Sequence, residues 1–133
     1  MKSNRDVAQA LKRKAEHDER AATLIHEAGG PFDAACFHYQ QAAEKYLKAV
    51  LAAHDRPFPR SHDIAELVEL TEGLAPALSE LPEDVFLLTG HAVAGRYGEI
   101  AEPGIEDAQF AQQCLEYIKQ AIEAELQSVE GES

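Results

Sequence analysis

The sequence lacks the residues and runs that build metal sites, disulfide frameworks and membrane spans. Its 133 residues include only two cysteines, Cys36 and Cys114, and both fall on apolar stripes of predicted helices. Two cysteines without histidines at ligand spacing make a poor zinc site, so we expect two buried, reduced thiols and neither a metal nor a cofactor. The apolar runs are too short to cross a bilayer, so no membrane partner is expected.

The N-terminal segment MKSNRDVAQALKRK lacks the apolar core and small-residue cleavage site of a signal peptide. We therefore expect a cytoplasmic protein. The sequence also contains no glycine-rich phosphate loop, no nucleophile elbow and no paired-carboxylate motif. No alternating strand pattern or internal repeat is visible, which leaves an all-helical chain whose length suits one domain.

Positive charge is scarce and unevenly placed. The chain has 12 Lys and Arg against 24 Asp and Glu, a net charge of −12. The first 60 residues carry 10 cations against 8 acids, whereas residues 61–133 carry 2 against 16, and Arg96 is one of those two. An acidic half repels phosphate backbones, so the charge disfavours non-specific coating of DNA or RNA. Any nucleotide or nucleic-acid site is expected in the N-terminal half.

Apolar residues at steps of three and four predict an all-α, up-and-down bundle of four to five helices. The predicted helices cover about residues 4–28, 32–54, 62–72 and 106–127, with a further helix that starts at residue 82 and ends between Gly95 and Gly98. The second is the central helix of the bundle, because it carries apolar stripes on nearly opposite sides and several small residues. Gly29-Gly30-Pro31 predicts a turn that makes the first two helices an antiparallel hairpin. Ser61 is the expected N-cap of the third helix.

Charged residues at core-facing positions form the first candidate site. Asp18 lies on the apolar stripe of the first helix, and Arg96 continues the stripe of the fourth. A charge there is costly unless paired, and a guanidinium fork can hold a carboxylate through two hydrogen bonds. The predicted network comprises Asp18, Gln41, Glu44, Lys45, Lys48, Arg96 and Tyr97. It is either a buried ion network that fixes helix register or a polar cleft where Arg96 and Lys48 bind a phosphate.

The Pro-rich loop after the central helix is the second candidate. It carries His54, Arg56, Arg60 and His62 within nine residues. Free backbone N–H groups at the start of the third helix favour anions. The group is either a solvated loop or a phosphate site for a nucleotide or RNA.

Phe37 shares a stripe of the central helix with Gln41, Glu44 and Lys48, on the side away from the main core. An aromatic ring on such a face needs a neighbour. Either another helix covers Phe37 within the bundle, or Phe37 lies in a dimer or partner interface.

Four segments together resemble the HEPN family (higher eukaryotes and prokaryotes nucleotide-binding), in its short prokaryotic single-domain type. These segments are AEHD around Asp18, FHYQQAAEKYLKAVL, SHDIAELV after the Pro-rich loop, and LTGHAVAGRYGE. Their order and spacing cover most of the chain. The resemblance implies an up-and-down helical bundle that forms a homodimer. From the length and the polar C-terminal segment SVEGES we expect residues 1–133 to form a single HEPN-like helical domain with a tail that is frayed from about residue 128.

The resemblance also implies a choice of functions. Family members are often encoded beside a minimal nucleotidyltransferase in toxin–antitoxin-like pairs, and several branches are metal-independent ribonucleases. The ribonuclease signature is an Arg followed four to six residues later by a His, and no His follows His91 in this chain. We therefore expect a non-catalytic or weakly catalytic protein that binds a nucleotide, RNA or a nucleotidyltransferase partner. The alternatives are a divergent ribonuclease that uses Arg96 with His91 or His62, and a structural half of a two-subunit enzyme.

Overall fold

The computed structural model describes residues 3–88 and 103–131, and its helices pack around one central helix. The α-helices are α1 (Asn4–Glu27), α2 (Phe32–Ala53), α3 (Ile64–Thr71), α4 (Ile105–Ala121) and α5 (Glu123–Gly131). Two 3-10 turns, at Pro76–Glu80 and Glu83–Leu88, follow α3. No strand occurs in the two described ranges. The predicted all-α helical bundle is confirmed.

The hairpin of α1 and α2 follows directly from local sequence. Ser3 Oγ accepts a hydrogen bond from the Asp6 amide, and the Asp6 carboxylate accepts one from the Ser3 amide, so a capping box starts α1. Gly29 and Gly30 then adopt φ values of +93° and +111°, which side chains rarely tolerate. The Gly30 amide donates to the carbonyl of Ile25, and the chain reverses into α2. The predicted antiparallel hairpin is therefore confirmed.

Helix α2 contacts α1, α3, α4 and α5, which explains its long buried surface. Fully buried alanines let its backbone and that of α1 approach closely. These alanines are Ala15 and Ala22 on α1 and Ala35, Ala42 and Ala43 on α2. Tyr39, Leu47 and Leu51 fill the adjoining core, where burial of one leucine side chain stabilises the fold by roughly 1.5–3 kcal/mol. The predicted role of this segment as the central helix is correct.

Helix α3 starts later than the sequence predicts. Its N-cap is Asp63, whose Oδ1 accepts from the Ala65 amide at 3.0 Å, so the prediction of Ser61 as the cap is wrong. Aspartate caps a helix as well as serine does, and Ser61 Oγ instead accepts from the Asp63 amide at 3.0 Å. His62 consequently lies in the non-helical segment before α3 rather than in its first turn.

The second half of the chain differs from prediction in two places. Residues Glu83–Leu88 take 3-10 geometry where an α-helix is predicted, and the rest of that predicted helix lies outside the described residues. The single last helix is divided at Ile122 into α4 and α5, and α5 reaches Gly131 instead of ending near Gln127. Val129 is only 2% exposed, packs with Ala8 and Ala52, and its carbonyl accepts from Gln9 Nε2 at 3.2 Å. These contacts hold the segment that the sequence predicts to be frayed.

The two cysteines are buried free thiols, as predicted. Burial, the largest cause in both cases, raises the pKa of Cys36 to about 11 and that of Cys114 to about 12. Both thiols are therefore protonated near neutral pH and poor nucleophiles. No helix in the described ranges is long and apolar enough to cross a membrane.

Candidate functional site

One face of α2 carries six polar side chains, of which Gln40 and Glu44 are buried. We call it the α2 polar face, and it comprises His38, Gln40, Gln41, Glu44, Lys45 and Lys48. At 3.6 residues per turn these six positions fall within roughly half of the helix circumference. The opposite half carries Tyr39, Tyr46 and Val50, which are buried against the core. Helix α2 therefore presents one half to the core and the other to a set of hydrogen-bonding groups.

The centre of this face is the carboxylate of Glu44, which is only 2% exposed. Its Oε2 accepts hydrogen bonds from Gln40 Nε2 at 2.9 Å and from Gln41 Nε2 at 3.4 Å. Its Oε1 lies 2.8 Å from Nδ1 of His62. A buried carboxylate is costly unless hydrogen bonds replace its hydration. Glu44 meets that condition by using two amides from its own helix and one imidazole from the segment before α3.

The Glu44 carboxylate fixes the orientation of an exposed imidazole. An ionised carboxylate only accepts hydrogen bonds, so the proton of the neutral ring lies on Nδ1. The His62 side chain is 71% exposed, and its Nε2 has no partner in the described part of the chain. The pair is thus a buried carboxylate that holds a histidine whose second nitrogen is available to a ligand.

Lys48 follows Glu44 by four residues, about 6 Å further along the helix axis. Its Nζ lies 5.9 Å from the ring centroid of Phe58, a distance suited to a cation–π contact. Phe58 belongs to the Pro-rich loop and packs against the core, so the loop supports the lysine side chain. Lys48 makes no ion pair with any described residue. Its charge is therefore available near the Glu44–His62 pair.

Asp18 of α1 forms a second, separate cluster at the edge of the α2 polar face. It accepts hydrogen bonds from Lys45 Nζ and from His38 Nδ1, the latter at 2.9 Å. The three side chains are between 14% and 31% exposed. Because Asp18 is bonded to both partners, the charges in this cluster are largely satisfied within the protein.

The structure divides the predicted polar network. It brings Asp18 to Lys45 and Gln41 to Glu44, but it gives Asp18 and Glu44 different partners. Lys48 lies on the same face without entering either network. The predicted site residues His91, Arg96 and Tyr97 lie outside the described residues, so their roles stay predictions.

The predicted loop group is likewise split. His62 leaves it to join Glu44, whereas His54, Arg56 and Arg60 are exposed and make no ion pair within the described ranges. Phe37 is 55% exposed. No helix of the described ranges covers most of the ring, and both interpretations of Phe37, as a position covered within the bundle or as a dimer or partner interface, stay predictions.

Sequence reasoning missed His38 and Gln40 as members of the site. His38 precedes Lys45 by seven residues, two helical turns, so both lie on the side that faces Asp18. Gln40 precedes Glu44 by four residues, the spacing of a side-chain hydrogen bond along one helix. Both spacings can be read from the sequence, so both side chains could have been predicted as members of the site.

A third network, also missed, lies on the other side of α2. Tyr46 donates its hydroxyl proton to Glu19 Oε1 at 2.7 Å, and Lys119 Nζ lies 2.9 and 3.1 Å from the two Glu19 oxygens. The same Nζ lies 5.3 Å from the Tyr46 ring centroid. Burial, followed by the bond to Glu19, raises the pKa of Tyr46 well above its ordinary value. Tyr46 therefore stays neutral and donates its proton across the physiological range.

Two shallow cavities of about 410 and 210 Å³ open beside this third network. They share Glu16, Tyr46 and Lys119 as wall residues. Counted together, their walls carry four acids, among them Glu27 and Glu123, against three cations. A phosphate-bearing ligand is disfavoured there. Among the described residues, no group of three or more His, Cys, Asp or Glu side chains is placed to hold a metal ion.

Comparison with known families matches this architecture. A family model described as HEPN domain matches residues 8–129, nearly the whole chain. Neither curated proteins nor solved structures yield a significant match. HEPN domains are helical, often dimerise, and are associated with nucleotide- or RNA-related functions. Because the match spans almost the full sequence and helices are the only regular secondary structure in the described ranges, the chain belongs to the HEPN domain family.

Proposed function

We propose that this HEPN-domain chain is a non-catalytic or weakly catalytic binding module whose α2 polar face takes a phosphate group of a nucleotide or of RNA. One observation carries the proposal: buried Glu44 holds exposed His62 by Nδ1 at 2.8 Å and leaves Nε2 free, and Lys48, without an ion pair in the described ranges, follows Glu44 by one helical turn. The face also lies in the half of the sequence with a positive charge balance.

Phosphate binding at this face uses two kinds of cation. Protonated His62 donates its Nε2–H to a phosphate oxygen while Nδ1–H stays bonded to Glu44. Lys48 adds a positive charge that no acid of the described ranges neutralises. Hydrogen bonds to charged groups contribute roughly 1.5–3 kcal/mol each. Because the chain carries a net charge of −12, binding is expected to be weak and sensitive to salt.

The proposal includes protein partners. A homodimer and a nucleotidyltransferase-type partner, in a toxin–antitoxin-like pair, rest on the family resemblance. Exposed Phe37 supports the expectation of a further contact on the α2 side, since an aromatic ring that is 55% exposed gains by being covered.

Titration calorimetry with nucleotides and short RNA tests the binding function. His62→Gln and Lys48→Ala are each expected to weaken binding about fivefold or more, because each removes a charge-assisted contact. Arg13→Ala is the matched control, since Arg13 is an exposed cation of α1 that lies five residues, about 140° of helix rotation, from Asp18. Unchanged affinity in both site variants would contradict the proposal.

A metal-independent ribonuclease is the second candidate, and the same histidine favours it. A histidine oriented by a carboxylate is the arrangement of a general base. In such a reaction His62 Nε2 would take the proton of an RNA 2′-hydroxyl as that oxygen attacks phosphorus, and a second acid would protonate the departing 5′-oxygen. Cleavage of RNA in the presence of a chelator, abolished in His62→Gln, would support the enzyme. Retained binding without turnover would support the module.

A further inference from the structure

A third cavity, of about 270 Å³, lies where the first turns of α1, the end of α2 and the last turn of α5 meet. Its wall is formed by Arg5, Ala8, Ala53, His54, Ser128 and Val129. Among the described residues that line it, two can carry positive charge and none is an acid. The other two cavities together have more acids than cations in their walls. This cavity therefore differs from them in the sign of its charge.

Hydrogen bonds between the helices hold the cavity in shape. Asn4 Nδ2 donates to Asp55 Oδ1 in the turn after α2, and Gln9 Nε2 of α1 donates to the Val129 carbonyl of α5 at 3.2 Å. Ala8 and Val129 are buried and form an apolar part of the wall. Because all three helices are tied to one another around it, the cavity is formed before any ligand binds.

The two cations of the cavity are not neutralised by the protein. Arg5 is half-buried and His54 is exposed, and neither makes an ion pair with a described residue. The acids next to them in the sequence, Asp6 and Asp55, do not line the cavity. Asp6 accepts from the amide that caps α1, and Asp55 accepts from Asn4. The positive charge at the cavity is thus available to an anion.

Attraction to helix ends is the competing explanation of the two cations. Helices α2 and α5 end near this cavity, and the C-terminal end of a helix favours positive charge. Arg5, however, lies in the first turn of α1, where the dipole of that helix disfavours it. The end of α2 is capped by its own backbone, since the Leu51 carbonyl accepts from the Arg56 amide at 2.8 Å. The three helix ends act on Arg5 in opposite directions, whereas an anion attracts Arg5 and His54 alike.

The donors and the volume favour a phosphate group over a carboxylate. A guanidinium fork binds two oxygens of either group, but only the tetrahedral phosphate has a further terminal oxygen for an imidazole that comes from another helix end. The volume equals about nine water molecules at roughly 30 Å³ each. It holds a phosphate together with part of the molecule that carries it, and the alanine and valine side chains suit the carbon atoms of that part.

We infer that this cavity is a binding site for a small phosphate monoester, whose phosphate is held by Arg5 and His54. The site is separate from the α2 polar face. His54 follows Lys48 by six residues, which places it about 9 Å further along the axis of α2 and about 120° away around it. The inference does not rest on the proposed function and goes beyond it.

A ¹H–¹⁵N NMR titration with inorganic phosphate and with glycerol phosphate, at constant ionic strength, tests the inference. The amides of Arg5, His54 and Val129 are expected to shift and to saturate. Arg5→Gln and His54→Gln are each expected to weaken binding about fivefold or more and to unfold at the temperature of the wild type. Arg13→Gln and His17→Gln are the matched controls, since both residues are exposed on α1 and line none of the three cavities.

Three results would overturn the inference. The first is a set of shifts that do not saturate, or an affinity that is unchanged in both site variants. The second is acetate binding as tightly as phosphate, because the ligand class would then be wrong. The third is a lower unfolding temperature in Arg5→Gln without a change in affinity, which would assign the cation to the helix ends.

The same titration separates this inference from the proposed function. Shifts that are confined to the α2 polar face and are lost in His62→Gln would refute the cavity site and leave the proposed function standing. Shifts at the cavity that persist in His62→Gln would support the cavity site, whether or not the α2 polar face binds a ligand.

Discussion

Two carboxylates on opposite sides of α2 are held in different ways. We call Glu19, Tyr46 and Lys119 the Glu19 network, and Gln40, Gln41, Glu44 and His62 the Glu44 network. Glu19 is bonded to a lysine and a tyrosine that come from two other helices, so its charge is neutralised inside the protein. Glu44 is bonded to two neutral amides and to an imidazole that is 71% exposed.

The difference shows how similar chemistry can serve two purposes. The Glu19 network ties α1, α2 and α4 together, and none of its members needs a further partner. The Glu44 network is more deeply buried at its carboxylate, 2% against 23% for Glu19, yet it ends in a free ring nitrogen at the surface. We therefore expect the Glu19 network to govern stability and the Glu44 network to govern ligand binding.

The largest expected effect comes from Tyr46→Ala. Tyr46 is 2% exposed, so its loss leaves a cavity and removes the hydroxyl from Glu19. The free energy of unfolding is expected to fall by about 3–5 kcal/mol, as for other buried aromatic side chains. Urea denaturation measures the change, and Tyr117→Ala, at a residue that is 39% exposed, is the control with a small effect. A fall below about 1 kcal/mol would show that the Glu19 network does not stabilise the bundle.

Glu44→Gln is expected to give the opposite pattern. The amide fills the same volume, and removing a buried charge relieves its desolvation, so stability is expected to change by less than about 1 kcal/mol. The neutral side chain no longer offers a charged acceptor to Nδ1–H and holds the His62 ring less firmly, so affinity for a phosphate-bearing ligand is expected to fall about threefold, less than in His62→Gln. Calorimetric titration beside thermal melting measures both. Full affinity in this variant would show that binding does not depend on the orientation of the His62 ring by the Glu44 carboxylate.

The Glu19 network is also expected to make the free energy of unfolding depend on pH in the alkaline range. The folded-state pKa of Tyr46 is raised above its ordinary value of 10.0. Its contribution to stability is thus complete below pH 10 and is lost as the pH rises towards the folded-state pKa, by about 1.4 kcal/mol per pH unit for one group. Buried Cys36 and Cys114, with ordinary values of 9.0, add to the decline from about pH 9.

Tyr46→Phe measures how much the Tyr46 hydroxyl contributes to the loss of stability at alkaline pH. The variant is expected to be about 1 kcal/mol less stable at neutral pH, because it lacks the bond to Glu19. Above pH 10 its stability should decline less steeply than that of the wild type, by the slope of one titrating group. Urea midpoints between pH 8 and 11 measure the slopes, and parallel curves would contradict the assignment.

The smallest expected effect is a change in salt dependence. Lys48→Ala is expected to lower the slope of log affinity against log salt concentration by about one, because one phosphate contact is lost. Lys119→Ala is the matched control in the Glu19 network and is expected to leave that slope unchanged. Equal slopes in the wild type and in Lys48→Ala would show that Lys48 does not contact a phosphate of the ligand.

The sequence was sufficient for what local spacing controls. Apolar residues at steps of three and four located α1, α2 and the region of α4 and α5, and the two glycines before Pro31 located the reversal between α1 and α2. The pairing of Asp18 with Lys45 was also accessible, because a charge on a core-facing stripe requires a partner.

What the sequence could not supply depends on distant contacts. Glu19 and Lys119 are 100 residues apart, and nothing in either helix alone indicates that they meet. The pairing of His62 with Glu44 depends on which of two good capping residues starts α3. With Asp63 as the cap, His62 stays in an extended segment and its ring reaches α2. Similar local preferences at Ser61 and Asp63 left that choice to the tertiary packing.

The most direct test is the long-range ¹H–¹⁵N spectrum of the His62 ring during titration with a short RNA. We predict that the free protein has its ring proton on Nδ1, the nitrogen bonded to Glu44, and that the Nε2 resonance shifts on addition of the ligand. A ring whose nitrogens do not respond while resonances elsewhere in the protein shift would contradict the account, because the ligand would then bind away from the α2 polar face.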